Sequence, residues 1–264
     1  MAEFRATSGS LFYDVRGAGD RALVLLHGYT GSSHDFFHHV DSLANGRRVI
    51  SLDLAGHGNS GHRPGYSVAA LSGEVIEFLD TLDGQVDLLG HSMGGRIALE
   101  VVTARPDLVS SLILMCTTYD DFGLNRSDAE LTARLEFARL GVDRRSADEP
   151  AQLLFLESVD SSWMKTHDHM KAKLDPTARR QLGIEIFGGN LPSLYPALTD
   201  VGVATTIIAG TLDLPYLEPS AVMARMIPGA KLAWIEGAYH VPQLTHRSVW
   251  LGIVREHLGS VTTR

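Results

Sequence analysis

Gly90-His91-Ser92-Met93-Gly94 sets a serine between two glycines, after an apolar run and ahead of a helical pattern. A G-x-S-x-G stretch in that setting suits a nucleophile. Glycine permits a sharp strand-to-helix turn that a Cβ would obstruct. Such a turn exposes the Ser92 hydroxyl and aims the Met93 backbone N–H at an oxygen that gains charge during attack. The helix N-terminus adds favourable potential at the same point. The chemistry implied is attack on a carbonyl carbon.

A serine hydroxyl needs a base at neutral pH, and the base needs an orienting carboxylate. Two later apolar runs end in suitable residues. "IIAGTLD" presents Asp213, and "WIEGAYH" presents His240. The order Ser, Asp, His agrees with the motif. Asp120 and Asp121, beyond an earlier run, are the competing acids. A second oxyanion donor is expected from "LVLLHGYTGS", where the Tyr29 N–H would pair with that of Met93. His27, and His57 in "DLAGHGNS", are expected to hold their loops together rather than react.

These residues need a frame that brings distant loops to one place. Short apolar runs at 10–17, 21–28, 47–53, 86–92, 109–118, 204–210 and 231–237 read as strands. Helical patterns lie between them. In "SVAALSGEVIEFLDTL", Val68, Leu71, Val75, Phe78, Leu79 and Leu82 fall on one face. Strands alternating with helices predict right-handed crossovers and a mostly parallel sheet. Residues 119–195 break the rhythm, with helix formers and no convincing strand. They read as a helical insertion between core segments 1–118 and 196–264.

Composition narrows the setting. The 264 residues fit one large domain, or one domain with an insertion. A net charge of −8, with both signs scattered, favours solubility and argues against nucleic acid or an anionic membrane as the main partner; a small-molecule substrate is expected. Cys116 is the one cysteine, so no intrachain disulfide forms, and its apolar surroundings suggest packing. The first residues lack a signal-peptide pattern, and no run is long enough for a membrane helix. A cytoplasmic monomer or homodimer is expected. There is no dinucleotide fingerprint and no phosphate loop, so no cofactor is expected. His38-His39 and His167-Asp168-His169 lack the spacing of a metal site, and none is expected.

"HGYTGS", "DLAGHGNS", "GHSMGGRIAL", "GTLD" and "GAYH" together resemble the α/β-hydrolase fold superfamily, in order and along nearly the whole chain. The resemblance implies a Ser92–His240–Asp213 triad. It also implies a helical cap, inserted after the sixth strand, that roofs the site. A serine nucleophile separates the chain from epoxide hydrolases and haloalkane dehalogenases of this fold, which use aspartate. Arg96, four residues after Ser92, is similar to an arginine that helps hold an anionic substrate in the menaquinone-pathway synthase of this fold, while its spacing from Glu100 alone predicts an i,i+4 pair on the helix surface. Carbon–carbon bond hydrolases share the "SMGG" stretch. Phe155, Trp163 and Met164 are candidate apolar lining within the cap, and Arg134 and Arg139 are expected to be solvated. The reading is therefore a serine hydrolase for a small ester, lactone or activated ketone. A lyase using the triad as a base and a slow-turnover ligand receptor are the alternatives.

Overall fold

A computed structural model describes residues 2–123, 125–141 and 148–261. Residues 124 and 142–147 of the insertion, and 1 and 262–264 of the core segments, lie outside the described residues. Eight strands form one sheet. They are β1 (Ala2–Ala6), β2 (Gly9–Arg16), β3 (Ala22–Leu26), β4 (Arg48–Asp53), β5 (Val86–His91), β6 (Val109–Met115), β7 (Ala204–Gly210) and β8 (Lys231–Ile235). Their spatial order is β1-β2-β4-β3-β5-β6-β7-β8. The pairs β1–β2 and β2–β4 are antiparallel, and all others are parallel.

The seven strands read from sequence are present, and β1 is additional. It gave no apolar signal because it is a largely exposed edge strand, joined by backbone pairing to β2. The central strands are buried on both faces, as in β3, where every residue is buried. Alternate side chains serve different layers. Val24, Leu26 and Leu88 pack on one side with Ile97 and Val101. Leu23, Leu25 and Leu89 pack on the other with Phe36, Trp250 and Val254.

The helices are α1 (Val40–Leu43), α2 (Val68–Leu79), α3 (Met93–Ala104), α4 (Asp128–Leu140), α5 (Pro150–Ser158), α6 (Ser161–Ala172), α7 (Pro176–Phe187), α8 (Leu217–Met226), α9 (Pro242–Thr245) and α10 (Arg247–Val261). Residues of α2, α3 and α8 join the first layer, and those of α1 and α10 the second. The stripe expected on α2 is buried from Val68 to Leu79, while Leu82 lies in the turn beyond it.

Helices α4–α7 form the insertion between β6 and β7, and its described residues contain no strand. Local signals shape it. Ser127 and Glu130 form a reciprocal cap at the start of α4, and Gly141 ends it at φ 76°. The α7 end is fixed to the β4–α2 connection. The Tyr66 hydroxyl donates to Asp175 at 2.6 Å, Tyr66 N–H to Gln181 at 2.6 Å, and Val68 N–H to Glu185 at 2.8 Å. No helix among the described residues is long and apolar enough to cross a membrane.

Four buried histidines tie stability to pH. Burial drives His39, His91 and His257 down to about 4 and His57 to about 3, from an ordinary 6.5. The unfolded chain therefore takes up protons below pH 6.5 that the folded chain refuses. Their contribution is complete above that pH and is lost as pH falls toward 4, by about 1.4 kcal/mol per unit for each. Urea midpoints should fall steeply between neutral and mildly acid pH, and a flat profile would contradict this account.

Candidate active site

Ser92 sits where β5 turns into α3, at φ 53° and ψ −119°. This is a strained backbone for a residue with a Cβ, and its surroundings hold it there. Its N–H donates to Met115 C=O at 2.9 Å, extending the β5–β6 pairing. Its C=O accepts from the Gly95 N–H at 2.9 Å and the Thr117 hydroxyl at 2.6 Å. The flanking glycines permit the close approach. A Cβ on Gly90 would lie 2.2 Å from Gly94 O, and one on Gly94 would lie 2.4 Å from Leu26 O.

His240 follows β8 and Asp213 follows β7, and the parallel sheet delivers both to the Ser92 end. His240 Nε2 lies 3.0 Å from Ser92 Oγ. His240 Nδ1 lies 2.8 Å from Asp213 Oδ2. Ser92 and Asp213 are each 7% exposed. The His240 Nδ1–H donates to the acceptor-only carboxylate, which leaves Nε2 as a lone pair facing the serine O–H. The three sequence-predicted residues are thus brought into one hydrogen-bonded line.

The segments expected to carry the oxyanion donors adjoin this line. Met93 opens α3, where an N–H has no intrahelical acceptor. Gly28, just before Tyr29, abuts the nucleophile, since a Cβ on it would lie 3.1 Å from Ser92 Cβ. The Tyr29 side chain reaches into the insertion and donates its hydroxyl to Arg179 C=O at 2.5 Å. His27 bridges two loops, donating from Nδ1 to Gly28 C=O at 2.8 Å and accepting Leu54 N–H at 3.0 Å. His57 donates to Ala55 C=O, and its ring lies tilted against that of His27 with centres 5.0 Å apart. Both hold loops, as expected. The competing acids are used locally. Asp120 accepts from Ser193 at 3.0 Å, and Asp121 from Gly123 N–H at 2.6 Å.

Arg96 makes the i,i+4 pair with Glu100, but with its guanidinium buried rather than on a helix surface, and its contacts are with protein groups rather than at the substrate position that the resemblance implied. Its side chain is 0% exposed, and three of its nitrogens meet protein oxygens. Nε bonds Glu100 at 3.0 Å, Nη1 bonds Tyr119 C=O at 3.0 Å, and Nη2 bonds Pro192 C=O at 2.6 Å. Tyr119 and Pro192 lie near the two ends of the insertion, so one guanidinium ties both ends to α3. Trp163 is buried too. Its ring stacks with His167 at 4.7 Å and His34 at 5.1 Å, and Phe155 meets its edge. It joins α6 to the core turn Ser33–Phe36, whose His34 Nε2 donates to Trp163 C=O at 3.2 Å. Arg139 is exposed as expected, but Arg134 is half-buried with its guanidinium 5.7 Å from the Phe187 ring centre.

Sequence reasoning missed several neighbours of the line. Tyr216 stacks on His240 at 4.8 Å. Arg126 of the insertion donates to the Tyr216 hydroxyl at 3.0 Å and lies over the Tyr216 and Phe187 rings. Cys116 lies beneath Asp213, where burial and the nearby carboxylate raise its thiol well above the ordinary range. Among the described residues, Cys116, Asp213 and His240 are the one group of such side chains close enough to share a metal ion, and two of them belong to the line itself. His39 is engaged elsewhere, with Nε2 donating to Gln243 C=O.

The family model described as alpha/beta hydrolase family matches residues 23–250. A dihydrolipoyllysine-residue acetyltransferase component of an acetoin cleaving system from Cupriavidus necator is 29% identical over 254 residues. That match covers 94% of this chain and 66% of the relative, so the chain spans about two-thirds of its length. A Bacillus subtilis protein with the provisional name 2-succinyl-6-hydroxy-2,4-cyclohexadiene-1-carboxylate synthase is 27% identical over 261 residues, covering 91% of each chain. Among solved structures, one from a study of carboxylesterases of Nitrososphaera gargenis superposes with a TM-score of 0.83 at 20% identity, covering 99% of both chains. At that identity the likeness speaks for the fold alone.

Proposed function

The chain belongs to the alpha/beta hydrolase family, and from that membership we propose a serine hydrolase that acts on a small ester, lactone or activated ketone. One observation carries the reading: the unbroken line from Ser92 Oγ through the His240 ring to Asp213, with contacts of 3.0 and 2.8 Å. In the first step His240 Nε2 takes the Ser92 proton as Oγ bonds the substrate carbonyl carbon. The carbonyl oxygen becomes an oxyanion, held by the Met93 and Tyr29 N–H groups. His240 then gives its proton to the leaving group as the tetrahedral species collapses to an acyl-serine. Water attacks next, again through His240, and releases the acid. Asp213 fixes the tautomer and stabilises the imidazolium. Helices α4–α7 act as a cap over the strand ends, and its inner face selects the substrate.

The test is intact-protein mass after exposure to a fluorophosphonate. Wild type should gain one adduct and Ser92→Ala none. An unmodified wild type, or a labelled variant, would overturn the assignment. The net charge of −8 favours a free small molecule over nucleic acid as the substrate. We place the protein in the cytoplasm, as a monomer or homodimer.

A second reading is favoured by Arg126. Its Nε bonds Phe122 C=O and one Nη2 hydrogen is directed to Tyr216, which leaves guanidinium N–H groups over the Tyr216 ring that stacks on His240. Among the described residues no carboxylate lies within ion-pair distance of it. A substrate carboxylate would meet it well, and elimination from such a substrate is the alternative chemistry. Arg126→Gln should raise KM for a carboxylated ester about 10-fold or more and leave a neutral ester unchanged. An equal effect on both esters would remove this role. Product formed without uptake of oxygen from labelled water would favour elimination.

A further inference from the structure

His91 is a second buried histidine at the site, and the proposed chemistry leaves it unused. It is 4% exposed, and its ring centre lies 5.0 Å from that of His240. Its Nε2 lies 2.8 Å from the His240 backbone oxygen. A carbonyl oxygen only accepts, so Nε2 carries the proton and donates. Its Nδ1 is buried with no hydrogen-bond partner and faces Gly28, where a Cβ would come within 3.1 Å of it. The ring is thus wedged between the loop that carries Tyr29 and the loop that carries the base.

The His240 loop is tied on either side of the base. Gly237 N–H donates to Thr211 Oγ1 at 2.9 Å, Ala238 C=O accepts Leu212 N–H at 3.0 Å, and Val241 C=O accepts Leu244 N–H at 3.0 Å. Among the described residues, the bond from His91 is the one hydrogen bond to the His240 backbone itself. Without it, the peptide of His240 itself would hang unheld between the ties at Ala238 and Val241.

We infer that His91 is a positioning residue, holding the base His240 at working distance from Ser92 through the His240 carbonyl. The inference rests on the reading of His240 as the base. It gives the residue just before the nucleophile a task of its own: the strand that presents the serine also locates the base. Misplacement by about 1 Å costs roughly 100-fold in rate, and a loop released at its base residue can move that far. Burial holds His91 near about 4, so it is neutral at working pH and does not oppose the imidazolium that forms on His240.

The test compares His91→Gln, which keeps an amide donor at a reach like that of Nε2, with His91→Leu, which fills similar space without one. His91→Asn, whose amide is too short, serves as a second loss variant if the leucine protein does not fold. Two readouts are taken on proteins that match wild type by circular dichroism. The first is kcat and KM on a short acyl ester. The second is the low-field proton resonance of the His240–Asp213 hydrogen bond, which needs no turnover. We expect Leu or Asn to lose about 100-fold in kcat with KM nearly unchanged and the resonance lost, and Gln to restore most of both. Wild-type kcat and resonance in His91→Leu would overturn the inference, as would equal losses in Gln and Leu. If the wild type turns over no ester and takes no fluorophosphonate, the hydrolase reading fails. The resonance then decides by itself whether His91 holds His240.

Discussion

Ser92→Ala should lower kcat on any ester that the protein turns over by about 10⁶-fold, with the fold intact. The size follows from cooperation along the line. His240 without a serine has no proton to take in the first step, and the oxyanion donors have no bound intermediate to hold. What survives is substrate binding plus attack by water, which is slow without the acyl-serine. Stability should change little. The Ser92 side chain makes one hydrogen bond, to His240, and a single such bond contributes about 1 kcal/mol. The strained backbone is held by Met115, Thr117 and the glycine contacts, and alanine at φ 53° is no worse placed than serine. Steady-state kinetics with a melting curve on the same sample checks both parts. Retained turnover would mean that another group is the nucleophile, or that the reaction forms no acyl-serine. A large fall in Tm would mean that the serine is part of the core and that lost activity says nothing of chemistry.

Arg96→Ala should cost about 3–5 kcal/mol, the usual result of breaking a buried, fully bonded charge pair by removing one partner. Three groups feel the loss. Glu100 loses its partner and keeps one bond, from Ser72 at 2.7 Å. The carbonyls of Tyr119 and Pro192 are left without the guanidinium, and a void opens where the side chain was fully buried. For a chain of this size the expected fall in Tm is about 10 °C. Lysine should not rescue it, because an ammonium cannot present three donors in one plane to three fixed oxygens. Activity carries a second signature. Since Arg96 ties down both ends of the insertion, loosening it should also raise KM at temperatures where the variant is folded. A stable variant with unchanged Tm would show that the three bonds are not those that hold the chain in solution. A stable variant with raised KM for carboxylated substrates alone would return Arg96 to the substrate-binding role that its position in the motif suggested.

Much of the fold was legible because parallel strands buried on both faces are written as continuous apolar runs. The runs at 21–28 and 86–92 are examples, and the strands within them, β3 and β5, are buried at every residue. Strand β1 was not legible, since an edge strand held by backbone bonds asks little of its side chains. Ser92 was legible because its turn demands glycines at fixed offsets. Asp213 and His240 were legible because each ends an apolar run, and parallel strands bring such ends together.

Arg96, His91, Tyr216 and Trp163 needed the tertiary structure. Arg96 follows the nucleophile at a spacing that could serve a substrate. Its direction depends on Tyr119 and Pro192, 23 and 96 residues away. His91 is an ordinary filler of a motif position until the β8 loop lays a carbonyl against it, 149 residues on. Local sequence fixes which backbone turns are possible and where strands end, because those depend on near neighbours and on Cβ sterics. It does not fix which buried donor meets which acceptor, because that depends on how separate segments pack. The chain alone therefore determined the fold and the three residues proposed for the chemistry. Packing decided what holds those residues in place and which cation is left to meet a substrate.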